Sequence, residues 1–276
     1  VLILLFATSN AFSEDKKFNT SPEAVGYSSE KLMALKSLLD PYILGGKLPN
    51  YLLSVYHEDK KMFEIMNGTT DFEFEKSIKS DNIFWIASMS KPITSLAALQ
   101  LVERRELNLD DPIDKYLPYF SDPLVAIDGN MASELKPAKN KILVKNLLTH
   151  TSGLTYGSMI AKENDVSNLY DGIDPMSPAR SLSDSVNLIS ELPLIAEPNT
   201  EFNYSIGVMV LGLIIEDITG MQLGDYLDEN IFKPLGMQDT AFYIGMNKQE
   251  RIAALFQAKR ITVQVPGENI SYEQAL

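Results

Sequence analysis

The chain has 276 residues, 45% of them hydrophobic and 22% charged, which is enough apolar side chain for a sizeable core in one large domain or two smaller ones. A formal net charge of −13 and a pI near 4.6 disfavour nucleic acid and anionic membrane as partners. Cysteine is absent, which excludes disulfides, thiolate metal sites and a cysteine nucleophile.

The apolar run Val1 to Ala7 gives way to small residues, with Ser9 and Ala11 followed by a charged stretch. This pattern predicts that residues 1–11 are the end of a secretory signal peptide, and that an exported protein, periplasmic or secreted, begins near Phe12. A hydrophobic first strand is the alternative. The run is too short to span a bilayer and no later stretch qualifies, so no stable membrane insertion is expected.

Residues 28–45 have the spacing of an amphipathic helix, with Ser28 or Ser29 as cap and Leu32, Leu35, Leu38 and Leu39 on one face. A β-hairpin follows, with strands over 51–57 and 62–66 and the turn at Glu58 to Lys61. Apolar residues recur at helical spacing over 88–106. Residues 121–141 look like loop, and 155–180, polar and rich in turn formers, look like a surface insertion. "YSIGVMVLGLIIEDITG" predicts an apolar helix stopped by Gly220. A further helix and loop are expected over 227–242, and "RITVQV", 260–265, predicts a strand. This order suggests one domain over 12–276, in which 12–85 and 222–276 form an α/β part and 86–221 a mainly helical part.

Ser-x-x-Lys occurs twice, as Ser28-Ser29-Glu30-Lys31 and as Ser88-Met89-Ser90-Lys91. The first opens a solvated helix among charges and is an N-cap. The second follows the apolar run "FWIA" and opens an apolar helix. There, residues three apart share a face, and Lys91 can bring its nitrogen to Ser88 Oγ beside free backbone N–H groups. A lysine needs its pKa lowered by about three units, or about 4 kcal/mol, to serve as a base near neutrality. Alternatively it stays charged and lowers the pKa of a nearby tyrosine. Tyr204, in "EFNYSIG", is the candidate. A Ser-His-Asp triad would need His57 or His150, with Ser152 as a partner for His150, and no G-x-S-x-G elbow supports it.

"FWIASMSKPIT", "LLTHTSGLTYG" and "PNTEFNYSIGVMVLG", in this order, resemble the serine β-lactamase-like superfamily, and more narrowly the family VIII-type carboxylesterases. "SPEAVGYSSEKL", "LNLDDPIDKYLP" and "IFKPLGMQDTAF" extend the likeness. The resemblance implies an α/β (α+β) fold of the β-lactamase/transpeptidase type: an antiparallel sheet flanked by helices, with an inserted helical subdomain. It implies that Ser88 is the acylated nucleophile, that Lys91 and Tyr204 are a coupled proton-carrying pair, and that the Ser88 N–H is one oxyanion donor. His150 and Gly153, in the "HTSG" turn, and Ile206 would shape the substrate site. Many β-lactamase relatives carry an asparagine at the position of Ile206, so an apolar residue there moves weight from lactams to esters. The family's third, glycine-containing motif and its last strands have no counterpart here, so the resemblance implies a fragment lacking a second oxyanion donor. The expectation is a serine hydrolase of short acyl esters working through an acyl-enzyme on a small-molecule ester or amide, without a cofactor or metal. A β-lactamase or D-Ala-D-Ala carboxypeptidase, or a catalytically silent protein binding cell-wall peptide or an acyl ligand, are the alternatives.

Overall fold

The computed structural model describes residues 6–7, 20–126, 135–159, 164–256, 258–265 and 268–275. In chain order its elements are β1 (Phe6–Ala7), α1 (Ser29–Leu44), β2 (Asn50–His57), β3 (Lys60–Gly68), β4 (Phe84–Trp85), α2 (Ser90–Glu103), β5 (Leu124–Val125), β6 (Lys136–Pro137), α3 (Val144–Leu148), α4 (Asp165–Ile173), α5 (Leu182–Ser190), α6 (Gly207–Thr219), α7 (Leu223–Leu227), β7 (Ala258–Val265) and β8 (Glu268–Ala275). The strands pair antiparallel as β1–β4, β2–β3, β5–β6 and β7–β8. The chain divides into two compact units, one containing Ala87–Phe232 and the other Leu5–Ile86 with Lys233–Leu276. The expected start near Phe12 lies outside the described residues.

In the second of these units α1 lies on the β2–β3 hairpin. Ser28 caps α1 by accepting the Lys31 N–H, which is the role its sequence context gives it. Leu32, Leu35 and Leu39 pack on Met62, Phe63 and Ile65 of β3. Leu38, expected on the same face, is 66% exposed. One helical stripe is narrower than four leucines this closely spaced. The hairpin turn is also tighter than expected. Glu58 and Asp59 alone make it, both with positive φ, and Lys60 and Lys61 join β3. Such a two-residue turn matches the right-handed strand twist and needs the left-handed backbone at both positions. Asp40 of α1 accepts from Lys36, Tyr51 of β2 and Asn67 of β3, stitching helix to hairpin.

The unit that carries Ser88 is built on α6. Every residue from Gly207 to Ile215 is buried, so the helix is apolar all round and needs neighbours on all sides. Helices α2, α3, α5 and α7 supply them. Each large side chain so buried contributes about 1.5–3 kcal/mol. Gly220, at φ +67°, ends α6 and donates its N–H to the Glu216 carbonyl, as the sequence predicts. The expected surface insertion over 155–180 is instead partly core. It contains α4, capped by Asn164, with Val166 and Tyr170 fully buried. Its few apolar residues are spaced to face inward while the polar majority faces out, which hides the helix in composition. Among the described residues no single helix is long and apolar enough to cross a membrane.

Candidate active site

Ser88 sits in a single helical turn, Ala87–Met89, that leads into α2. Ala87 adopts φ +44°, a left-handed conformation that costs a β-carbon residue about 1–3 kcal/mol and that clusters at functional sites. The turn is fixed by Ser90 Oγ, which donates to the Ala87 carbonyl at 2.6 Å. Pro92 falls in the first turn of α2, where a missing N–H leaves no bond unmade. The Ser88 side chain is therefore presented outward, and the residue is exposed.

Lys91, one turn on, donates to Ser88 Oγ at 3.1 Å. Its ammonium also lies beside the phenols of Tyr204 and Tyr156. It lies 4.8 Å from the ring centre of Tyr204 and 5.1 Å from that of Tyr156. The two phenol rings stack, with centroids 5.5 Å apart.

The electrostatics follow. Burial pulls the Lys91 ammonium down, but the neighbouring phenol groups of Tyr156 and Tyr204 outweigh it and the net shift is upward. Burial pushes the Tyr204 phenol up, but the neighbouring Lys91 and Ser88 side chains, the lysine with its charge, bring it below the ordinary phenol range. These directions fit the charged role for the lysine, in which Tyr204 would be the proton acceptor.

Loops hold Tyr204 in place. The 149–153 turn and the 195–205 segment are laced by backbone bonds: Ile195 N–H to the Gly153 carbonyl, Asn199 N–H to Thr151 and Asn203 N–H to His150. Asn146 of α3 ties in through its amide, which donates to Thr151 Oγ1 and Asn199 Oδ1. Gly153 has φ +81°, and a β-carbon there would stand 2.2 Å from the Ala196 carbonyl oxygen, so the close approach of the two segments requires glycine.

Ser88, Lys91, Tyr204 and His150 thus meet in one place. His150 lies against Tyr204 rather than Ser152, and Ser152 is fully buried, so no triad forms on it. Ile206 and Gly153, expected to shape the substrate space, sit beneath it. Ile206 is 0% exposed at the start of α6, and Gly153 is buried against Ala196. A side chain without accessible surface cannot touch a substrate. Tyr156 is the member that sequence reasoning passed over. It stood inside "LLTHTSGLTYG", three residues past Gly153, but nothing local distinguishes it from a core tyrosine. Among the described residues no cluster of His, Asp or Glu could hold a metal ion.

Comparison with known proteins identifies the family and the fold. The chain is 31% identical over 224 residues to the esterase EstB of Burkholderia gladioli, covering 80% of this chain and 54% of that protein. It is 32% identical over 213 residues to an uncharacterised protein of Mycobacterium tuberculosis, covering 77% of this chain and 52% of the other. It therefore spans about half the length of the curated relatives it matches. Among solved structures it superposes on EstCE1, a hydrolase with promiscuous acyltransferase activity, with a TM-score of 0.69 at 25% identity, covering 88% of this chain and 64% of that one. The β-lactamase family model matches residues 32–274, and the chain belongs to the β-lactamase family of serine hydrolases.

Proposed function

We propose that this protein hydrolyses carboxylic esters of short acyl chains through a covalent acyl-enzyme on Ser88. The observation that carries the reading is the exposed Ser88 alcohol, which accepts from Lys91 at 3.1 Å, beside a Tyr204 phenol whose proton affinity that lysine lowers. Tyr204, acting as the phenolate beside the Lys91 charge, takes the Ser88 proton on Oη as Oγ attacks the ester carbonyl carbon. It returns the proton to the departing alkoxide, leaving Ser88 acylated. A water then enters by the same proton route and releases the acid. Lys91 keeps its proton throughout and balances the charge that moves between the oxygens. The ester preference is supported by the esterase among the relatives.

Export to the periplasm or the medium is part of the proposal, supported by the apolar opening run and the small and charged residues that follow it. The test is hydrolysis by the full-length protein of a nitrophenyl butyrate, a chromogenic cephalosporin and a D-Ala-D-Ala peptide, alongside Ser88→Ala. Ester turnover lost in Ser88→Ala supports the proposal. Ester turnover that survives the substitution defeats it, and cephalosporin or peptide turnover without ester turnover moves the assignment to an amide hydrolase.

A further inference from the structure

The two peptide N–H groups that flank Tyr204 both donate to one residue. Asn203 N–H reaches the His150 carbonyl at 2.8 Å, and Ser205 N–H reaches His150 Nδ1 at 3.1 Å. Between these two anchors the imidazole lies on the Tyr204 ring, with centroids 4.5 Å apart, and Phe202 meets the imidazole edge-on. His150 can do this because its backbone is left-handed, at φ +56°, which turns carbonyl and side chain toward the same strand of chain. Ser205 is fully buried, and its Oγ accepts the Gly207 N–H at the start of α6, so its amide has no solvent to turn to.

We propose that His150 is a positioning residue that clamps Tyr204 over Lys91 and Ser88, and that the clamp holds only while Nδ1 is unprotonated. The inference rests on the hydrolase reading above and deepens it. An Nδ1 that accepts the Ser205 N–H places the imidazole proton on Nε2. Adding a second proton sets two donors against each other. The new Nδ1–H can be satisfied only at Ser205 Oγ, now 3.4 Å away, and only by giving up the Ser205 N–H. Opening the clamp frees the backbone on one side of Tyr204 and lets the phenol drift from Ser88, where a displacement of about 1 Å is worth roughly 100-fold in rate. The titratable groups that face His150 are the Lys91 ammonium from α2 and the Tyr204 phenol from the loop before α6, with Tyr156 stacked beyond Tyr204. Burial and the Lys91 charge both push the imidazole below its ordinary range, so the clamp is closed at neutral pH and opens in acid.

Two variants of the full-length protein separate this role from plain packing. His150→Phe keeps an aromatic ring on Tyr204 and loses the acceptor. His150→Asn loses the ring, keeps an acceptor at the distance of Nδ1, tolerates the left-handed backbone and does not titrate. With nitrophenyl butyrate at about pH 8, His150→Phe is expected to lose roughly 10- to 100-fold in kcat with KM within about twofold, and His150→Asn to recover most of that loss. In acid, the wild-type plot of log kcat against pH steepens from a slope of about one to about two, whereas the His150→Asn plot keeps the shallower slope. Independently of turnover, the Ser205 amide resonance in a nitrogen–proton NMR titration shifts with the same midpoint as the His150 ring carbons. Wild-type kcat in His150→Phe, no recovery in His150→Asn, or a Ser205 amide that ignores the imidazole each overturns the clamp. If the wild type hydrolyses none of the esters, the functional reading falls instead, and the amide titration alone judges the clamp.

Discussion

Replacing Lys91 by methionine keeps the length of the side chain and its apolar stem while deleting the charge. That ammonium donates to Ser88 Oγ at 3.1 Å and lies 4.8 Å from the ring centre of Tyr204. Both contacts bear on the reacting atoms. A hydrogen bond to a charged group is worth about 1.5–3 kcal/mol, so losing the one to Ser88 alone removes roughly one to two powers of ten in acylation rate. Lys91→Met also removes the charge that lowers Tyr204, leaving burial to hold the phenol above its ordinary range. Acylation should therefore recover as pH is raised past about 10, where a solvated phenol ionises. Single-turnover release of nitrophenol between about pH 6 and 11 measures both effects, and phenol absorbance near 295 nm follows Tyr204 directly once Tyr204→Phe has been subtracted. Because Lys91 is only half-buried, thermal unfolding should barely change. A Lys91→Met protein that acylates within about tenfold of wild type at neutral pH, with Tyr204 still ionising early, would refute the charged-lysine mechanism.

Other expectations follow from the same geometry. Tyr156→Phe keeps the stack on Tyr204 and loses only the phenol oxygen near Lys91, so kcat should fall by about tenfold at most, whereas Tyr204→Phe should fall by about 10²–10⁴-fold; equal falls would make the two phenols interchangeable. Gly153→Ala combines a strained φ with a clash on the Ala196 carbonyl and the loss of the Ile195 hydrogen bond; it should cost about 2–4 kcal/mol in urea unfolding, with kcat lowered in the remaining folded protein. Asp40, held down to about 2 by Lys36, Asn67 and Tyr51, has a folded pKa below its unfolded one. Its stabilisation is therefore complete above the ordinary carboxylate range and is lost as pH falls through about 2. Asp40→Asn should lower Tm at pH 6 and narrow the gap from wild type in strong acid, as thermal scans across pH would show.

The sequence by itself determined the elements whose signals are local. Ser28 and Ser88 stand in the same four-residue pattern, yet the charges around one and the apolar run before the other already separated a helix cap from a nucleophile candidate. The apolar run from Tyr204 to Gly220 fixed α6 and its end, because a helix apolar on all sides has nowhere to go but the core. Other features were closed to one-dimensional reading. The two-residue hairpin turn depends on strand twist, and the buried face of α4 depends on which neighbours cover it. Tyr156 becomes a member of the site, and His150 an anchor for Tyr204, only when the 149–157 and 201–206 segments fold over α2, since stacking, an ammonium beside two phenols and a clamp on two peptide groups are relations between residues about 50 to 110 positions apart. The choice of which group carries the proton likewise waited on three dimensions. A lysine's charge state is set by the oxygens around its nitrogen, and spacing along the chain does not specify those oxygens.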